Sequence, residues 1–269
     1  MNVKRISALL GLLLAVSVSQ AGPILYIDDS RGNIGTVDVA TGTPTLIGNA
    51  GVVLTDLAFD PSGNLYGLDF TTLYRVNKTT GVATAIGAMG IPGGNALTFG
   101  SNGTLYSAGN SSAELYTVNT STGAATDIGT TGFASAGDLA FKGGMLYLAA
   151  TNNHLIRIGL SGGLVSGATD VGAFGFSNVF GLATGDNGVL YGVSGTQVFS
   201  VNTTTGAGTF VSNYGGGPLA DAFGTAFFAE AGAVSGVPEP ATITLLGLGL
   251  IGIAGSAWRR RRNKVLAIA

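Results

Sequence analysis

Leu57-Ala58-Phe59-Asp60-Pro61-Ser62-Gly63-Asn64-Leu65-Tyr66-Gly67 decides the fold, because the chain returns to this stretch three more times. The returns are Leu97-Thr98-Phe99-Gly100-Ser101-Asn102-Gly103-Thr104-Leu105-Tyr106-Ser107, then Leu139-Ala140-Phe141-Lys142-Gly143-Gly144-Met145-Leu146-Tyr147, one residue shorter, and Leu182-Ala183-Thr184-Gly185-Asp186-Asn187-Gly188-Val189-Leu190-Tyr191-Gly192. Tyr26 heads a partial copy, and from it through Tyr66, Tyr106 and Tyr147 to Tyr191 the steps are 40, 40, 41 and 44 residues. A second marker follows each tyrosine: Ala40-Thr41-Gly42, Thr79-Thr80-Gly81, Ser121-Thr122-Gly123, Ser161-Gly162-Gly163 and Thr204-Thr205-Gly206. Glycine at these places supplies the positive φ of tight hairpins.

Between the markers each unit divides into four short segments, such as Thr55 to Asp60, Asn64 to Asp69, Thr72 to Asn77 and Val82 to Gly87. They are rich in β-branched, aromatic and leucine residues and lack a 3.6-residue period, which favours strands over helices. Four strands per roughly 40 residues is the pattern of a β-propeller blade. Five markers predict five blades. The first copy starts at Ile24 without the leading strand, and a spare strand of that type, Phe223 to Ala229, follows the last copy. A closed ring uses the spare strand to complete the first blade. An open solenoid carries polar caps at its ends instead, and a β-sandwich has no need of a 40-residue period. The expected fold class is all-β, a five-bladed propeller closed by its C-terminal strand. Segments such as Leu73-Tyr74-Arg75-Val76-Asn77-Lys78-Thr79-Thr80-Gly81 resemble exported bacterial propeller proteins over residues 24–229, a similarity that implies fold alone.

The two ends are of another kind. Lys4 and Arg5 precede an apolar stretch, Ile6 to Val18, and the small-residue exit Ser19-Gln20-Ala21. This is the layout of a secretory signal peptide over residues 1–21, cleaved after Ala21. At the far end Val237-Pro238-Glu239-Pro240 precedes an uncharged segment, Ala241 to Trp258, and then Arg259-Arg260-Arg261-Arg262. At 1.5 Å per residue that segment makes a helix of about 27 Å, long enough to span a bilayer. The arginines stay cytoplasmic, so the folded part faces outward. Residues 22–231 are thus the expected ectodomain, 232–240 a linker with the Pro-Glu-Pro motif, 241–258 a transmembrane helix and 259–269 a basic tail.

Motif, apolar helix and arginine cluster together resemble the PEP-CTERM sorting signal of Gram-negative bacteria, although Val265 to Ala269 run on past the point where such tails often stop. The resemblance implies that Val237, Pro238, Glu239, Pro240 and Arg259, Arg260, Arg261 and Arg262 address the protein to an exosortase, a membrane protease that processes the tail. It also implies a cell-envelope or extracellular location in an organism that secretes exopolysaccharide. Gly247-Leu248-Gly249-Leu250-Ile251-Gly252 spells a dinucleotide fingerprint, but it lacks the preceding strand and the acidic residue about 20 positions on.

Composition excludes several functions. Residues 22–240 hold five basic residues, Arg31, Arg75, Lys78, Lys142 and Arg157, against all 14 acidic ones, a formal charge of −9. Nucleic acid and anionic lipid both require a basic footprint. The chain has no cysteine, which removes thiol chemistry, thiolate metal sites and disulfides.

Candidate chemistry is sparse. His154, the only histidine, sits in a turn of the fourth unit and is read as exposed, although any Ser-His-Asp triad would have to use it. Asp28-Asp29-Ser30-Arg31-Gly32-Asn33 invites a calcium loop but departs from the usual spacing, and the same residues cap turns. Asp56, Asn95, Asp138, Asn178 and Asp221 each fall just before the first strand of a unit, at the entrance to the central channel. Propeller lactonases hold a metal at such a place, a similarity of position only, and Asn95 and Asn178 are out of register with Asp56 and Asp138. Asn77, Asn102, Asn110, Asn119 and Asn202 begin Asn-x-Ser/Thr triplets that suit hairpins as well as glycosylation. No residue is therefore assigned a catalytic, cofactor-binding or metal-ligating role, and no cofactor is expected. The reading is a non-catalytic binding or structural module, its alternative a metal-dependent hydrolase of lactonase type. Expected partners are the exosortase and secretion machinery, the membrane through the C-terminal helix before processing, and a polysaccharide or protein ligand.

Overall fold

The computed structural model describes residues 22–230; the expected signal peptide, Val237 to Pro240, the 241–258 helix and Arg259 to Arg262 lie outside the described residues. Among those described, no helix is long and apolar enough to cross a membrane. The chain runs through β1 (Ile24–Asp29), β2 (Asn33–Asp38) and β3 (Thr43–Asn49), and then through four blades of four strands each. Blade 2 is β4 (Asp56–Phe59), β5 (Leu65–Leu68), β6 (Thr72–Val76) and β7 (Ala83–Ala88). Blade 3 is β8 (Gly94–Phe99), β9 (Leu105–Gly109), β10 (Glu114–Val118) and β11 (Ala125–Thr130). Blade 4 is β12 (Ser135–Lys142), β13 (Met145–Ala150), β14 (His154–Ser161) and β15 (Leu164–Ala173). Blade 5 is β16 (Val179–Thr184), β17 (Leu190–Ser194), β18 (Gln197–Val201) and β19 (Gly208–Asn213).

The last strand, β20 (Ala222–Phe227), pairs antiparallel with β1, so blade 1 has the order β20-β1-β2-β3. The spare strand does complete the first blade, in the register Leu25 with Phe227 and Tyr26 with Ala226. Inner strands β4, β8, β12, β16 and β20 each pack on the next, and β20 meets β4 to close the ring.

The repeat is legible in the packing. Five buried apolar clusters fill the five seams between neighbouring blades. At four seams the tyrosine of one blade meets the phenylalanine that ends the next inner strand: Tyr26 with Phe59 at 4.9 Å, Tyr66 with Phe99 at 5.2 Å, Tyr106 with Phe141 at 5.4 Å and Tyr191 with Phe227 at 5.6 Å between ring centroids. Such pairs add about 0.5–1.5 kcal/mol each beyond the area they bury. The seam between blades 4 and 5 has Thr184 in the phenylalanine's place.

The hairpin markers join blades as well. Gly81 turns with φ of 78°, and a Cβ there would come within 2.9 Å of the Gly48 carbonyl carbon on the outer strand of the preceding blade. Glycine is needed for the turn and for the close approach. Asn77 Oδ1 accepts from the N–H groups of Thr79 and Thr80, and Asn119 and Asn202 do the same in their blades. These three asparagines of the Asn-x-Ser/Thr triplets are hairpin caps.

Candidate functional site

The five channel residues do not form one set. Asp56, Asn95 and Asp138 are buried, whereas Asn178 and Asp221 are exposed on the face where the inner strands begin. Two sites result, one inside the axis and one at its mouth.

Inside, each repeat tyrosine pairs with the same place on its inner strand: Ala58, Thr98, Ala140, Ala183 and Ala226. The residues just before these, Leu57, Leu97, Leu139, Leu182 and Thr225, present their N–H groups to two carboxyl groups. Asp56 accepts from Leu57 at 2.7 Å, Leu97 at 2.6 Å and Thr225 at 3.2 Å. Asp138 accepts from Leu139 at 2.7 Å, Leu182 at 2.6 Å and the Thr225 hydroxyl at 2.9 Å. Five amides, one per blade, thus converge on two aspartates. Burial raises both carboxyl groups well above the usual range, and for Asp56 the charge of Asp138, a hydrogen bond with it and then the charge of Asp28 push the same way. Like charges at one buried place favour the protonated over the ionised form of a carboxyl group.

Asp28 is the anomaly. Two positions after the repeat tyrosine the other blades place Leu68, Ala108, Ala149 and Val193, all buried. Blade 1 places a fully buried aspartate whose two oxygens have no hydrogen-bond partner. Burial first, and then the neighbouring Asp29, push its carboxyl up to about 8. Asp29 itself caps the turn, accepting from the N–H groups of Arg31, Asn33 and Ala220. The expected Asp28-Asp29 loop therefore separates into one turn cap and one axial group. Opposite, at the Thr184 seam, Glu230 has a buried Oε1 without a partner, and burial and the charge of Asp138 raise its carboxyl. Among the described residues no group of three or more His, Asp or Glu side chains has a metal-binding arrangement. His154 lies at the start of β14, partly exposed, with Nδ1 2.8 Å from Asp170 Oδ2.

At the mouth, a cleft of about 390 Å³ opens between blades 5 and 1. Its floor is aromatic, from Phe176, Phe180 and Phe223, and its rim is polar, from Asn178, Gln197 and Asp221 with three serines. A second cleft of about 350 Å³, lined by Asp60, Tyr66, Phe99 and Asn102 among others, lies on the opposite face. Reading the residues before each inner strand for carboxylates and amides picked out Asn178 and Asp221 but missed the phenylalanines beside them.

Residues 236–262 match the family model of the PEP-CTERM protein-sorting motif. The chain carries this motif. It covers Val237 to Pro240 and Arg259 to Arg262. Comparison with curated proteins gave no match. Among solved structures the chain is similar to a gluconolactonase from Xanthomonas campestris, with TM-score 0.51 and 14% identity over 73% of this chain and 78% of that one. It is also similar to a chain of the nidogen/laminin complex, with TM-score 0.53 and 12% identity over 76% of this chain and 98% of that one. At these identities the likeness is one of fold.

Proposed function

We propose that this is an exported envelope or extracellular protein, delivered and processed through its PEP-CTERM motif, whose propeller is a non-catalytic binding or structural module. The address rests on the match over residues 236–262. The module reading rests on the axis. The oxygens of Asp56 and Asp138 are engaged by five backbone amides and one hydroxyl, so these carboxyl groups serve as the hub that ties the five inner strands together.

A lactonase-type hydrolase is the alternative, and the likeness to a gluconolactonase is one of fold. It needs channel carboxylates free to face a ligand, and among the described residues Asp28 alone has both oxygens unengaged and buried. Intact-mass measurement on the mature surface protein tests the address. The expected form ends upstream of Arg259, and finding the arginine cluster still attached overturns exosortase processing. Association with exopolysaccharide is part of the same proposal, tested by co-purification of the mature protein with the polymer its host secretes.

A further inference from the structure

The mouth cleft breaks the internal symmetry of the ring. Two residues before the N–H that reaches the axial aspartates, blades 2, 3 and 4 place Thr55, Asn95 and Gly137. Blades 5 and 1 place Phe180 and Phe223 at that same position, and the two rings meet edge to face with centroids 6.2 Å apart. Phe176 stands in the same cleft, its ring stacked on buried Phe199 at 4.1 Å and 2°. All three phenylalanines remain partly exposed. A repeat that elsewhere uses small or polar residues here sets two phenylalanines in edge-to-face contact in the cleft, both partly exposed.

The backbone around them is held in place, while the Asn178, Gln197 and Asp221 side chains are exposed. Asn178 keeps a left-handed backbone, φ 52°, with its N–H donated to Asn153 Oδ1 at 2.8 Å. The Ser194 hydroxyl donates to the Ser177 carbonyl at 2.5 Å. Gly195, beside Ser194, accepts from Ala222 N–H at 3.0 Å and the Tyr214 hydroxyl at 2.9 Å, which fixes the turn against Asp221. Asparagine enters the left-handed conformation readily, and the Asn153 side chain pins Asn178 at this turn.

The chemistry selects the ligand. Amides and hydroxyls both donate and accept, and a carboxylate accepts strongly. No lysine or arginine lines the cleft, so an anionic ligand finds no counter-charge. A partner that offers an apolar face together with several groups that both donate and accept is a neutral sugar ring, and the volume suits one or two such rings. We propose that this cleft, with Phe180 and Phe223 as stacking faces and Asn178, Gln197 and Asp221 as hydrogen-bonding groups, is a binding site for a neutral saccharide. The proposal deepens the binding-module reading and rests on it, independently of the sorting motif.

The test titrates the mature protein against immobilised gluco-, galacto- and manno-hexaose, with oligogalacturonate and choline as charged probes. Saturable binding to at least one neutral hexaose is expected, weakened about tenfold or more in Phe223→Ala and, with the fold untouched at exposed positions, in Asp221→Ala and Gln197→Ala. Absence of binding to all three hexaoses overturns the proposal. So does affinity unchanged in the two exposed-residue variants, or preference for either charged probe. Product analysis by mass spectrometry in the same titration separates the two readings: cleavage of the bound sugar overturns the non-catalytic module and leaves the saccharide site standing.

Discussion

Ending the chain at Asp221 removes β20, and the structure says what is lost. β20 is the inner strand of blade 1, hydrogen-bonded along β1 and packed on β16 and β4. Without it Leu25 and Ile27, both 0% exposed, face water, and Phe227, 3% exposed, is gone from the seam with Tyr191. At about 1.5–3 kcal/mol for each large apolar side chain, this is roughly 5–9 kcal/mol. Asp56 also loses the Thr225 N–H and Asp138 the Thr225 hydroxyl, both inside the axis. A domain commonly has about 5–15 kcal/mol in all, so the shortened chain should be largely unfolded or aggregated. Circular dichroism melting of chains ending at Asp221 and at Gly236 measures the difference. For a domain of this size each kcal/mol moves the midpoint by about 2–4 °C, so the expected gap is at least about 10 °C. A peptide of residues 219–231 supplied in trans should restore part of it, by adding the missing strand to the open edge of β1. Equal melting of the two chains would refute the closed ring, and with it the convergence of five blades on Asp56 and Asp138.

The remaining predictions concern the axis and the address. Asp28→Leu restores the kind of residue found at Leu68, Ala108, Ala149 and Val193. The Asp28 carboxyl moves from 3.8 to about 8 on folding, so the folded state holds the extra proton. Its stability is full below about pH 3.8 and is lost as pH rises to about 8. The gain in melting temperature of Asp28→Leu over wild type should therefore grow between pH 4 and 8, and a gain that stays flat or shrinks refutes the burial of a lone carboxyl. Asp56→Ala orphans three buried N–H groups; at about 1–3 kcal/mol each it should cost at least about 3 kcal/mol in urea unfolding, and a loss under 1 kcal/mol would contradict the hub. Replacing Pro238, Glu239 and Pro240 by alanine should leave a longer, membrane-retained form that keeps Arg259 to Arg262, read by intact mass of the membrane fraction.

What the sequence by itself determined about this protein is periodic or local. Tyr26, Tyr66, Tyr106, Tyr147 and Tyr191 repeat because each blade must put the same ring against its neighbour, and the hairpin glycines recur because each turn needs a positive φ, with Gly42, Gly81, Gly123 and Gly206 also pressed against a neighbouring blade. The missing first strand and the spare last one even foretold the closure. The sorting motif over residues 236–262 was legible for a different reason: such a signal is a linear string. The tertiary structure decided what depends on closing the ring. Asp28 and Asp29 are adjacent in the chain, yet alternation along β1 sends one into the axis and leaves the other at the turn. Asp56 reaches Leu97 and Thr225, which lie 41 and 169 residues away, contacts that no local pattern encodes. Phe180 and Phe223 occupy equivalent places in units that are last and first along the chain; they became neighbours only because β20 crosses to blade 1, so that two single departures from a repeat became one aromatic cleft.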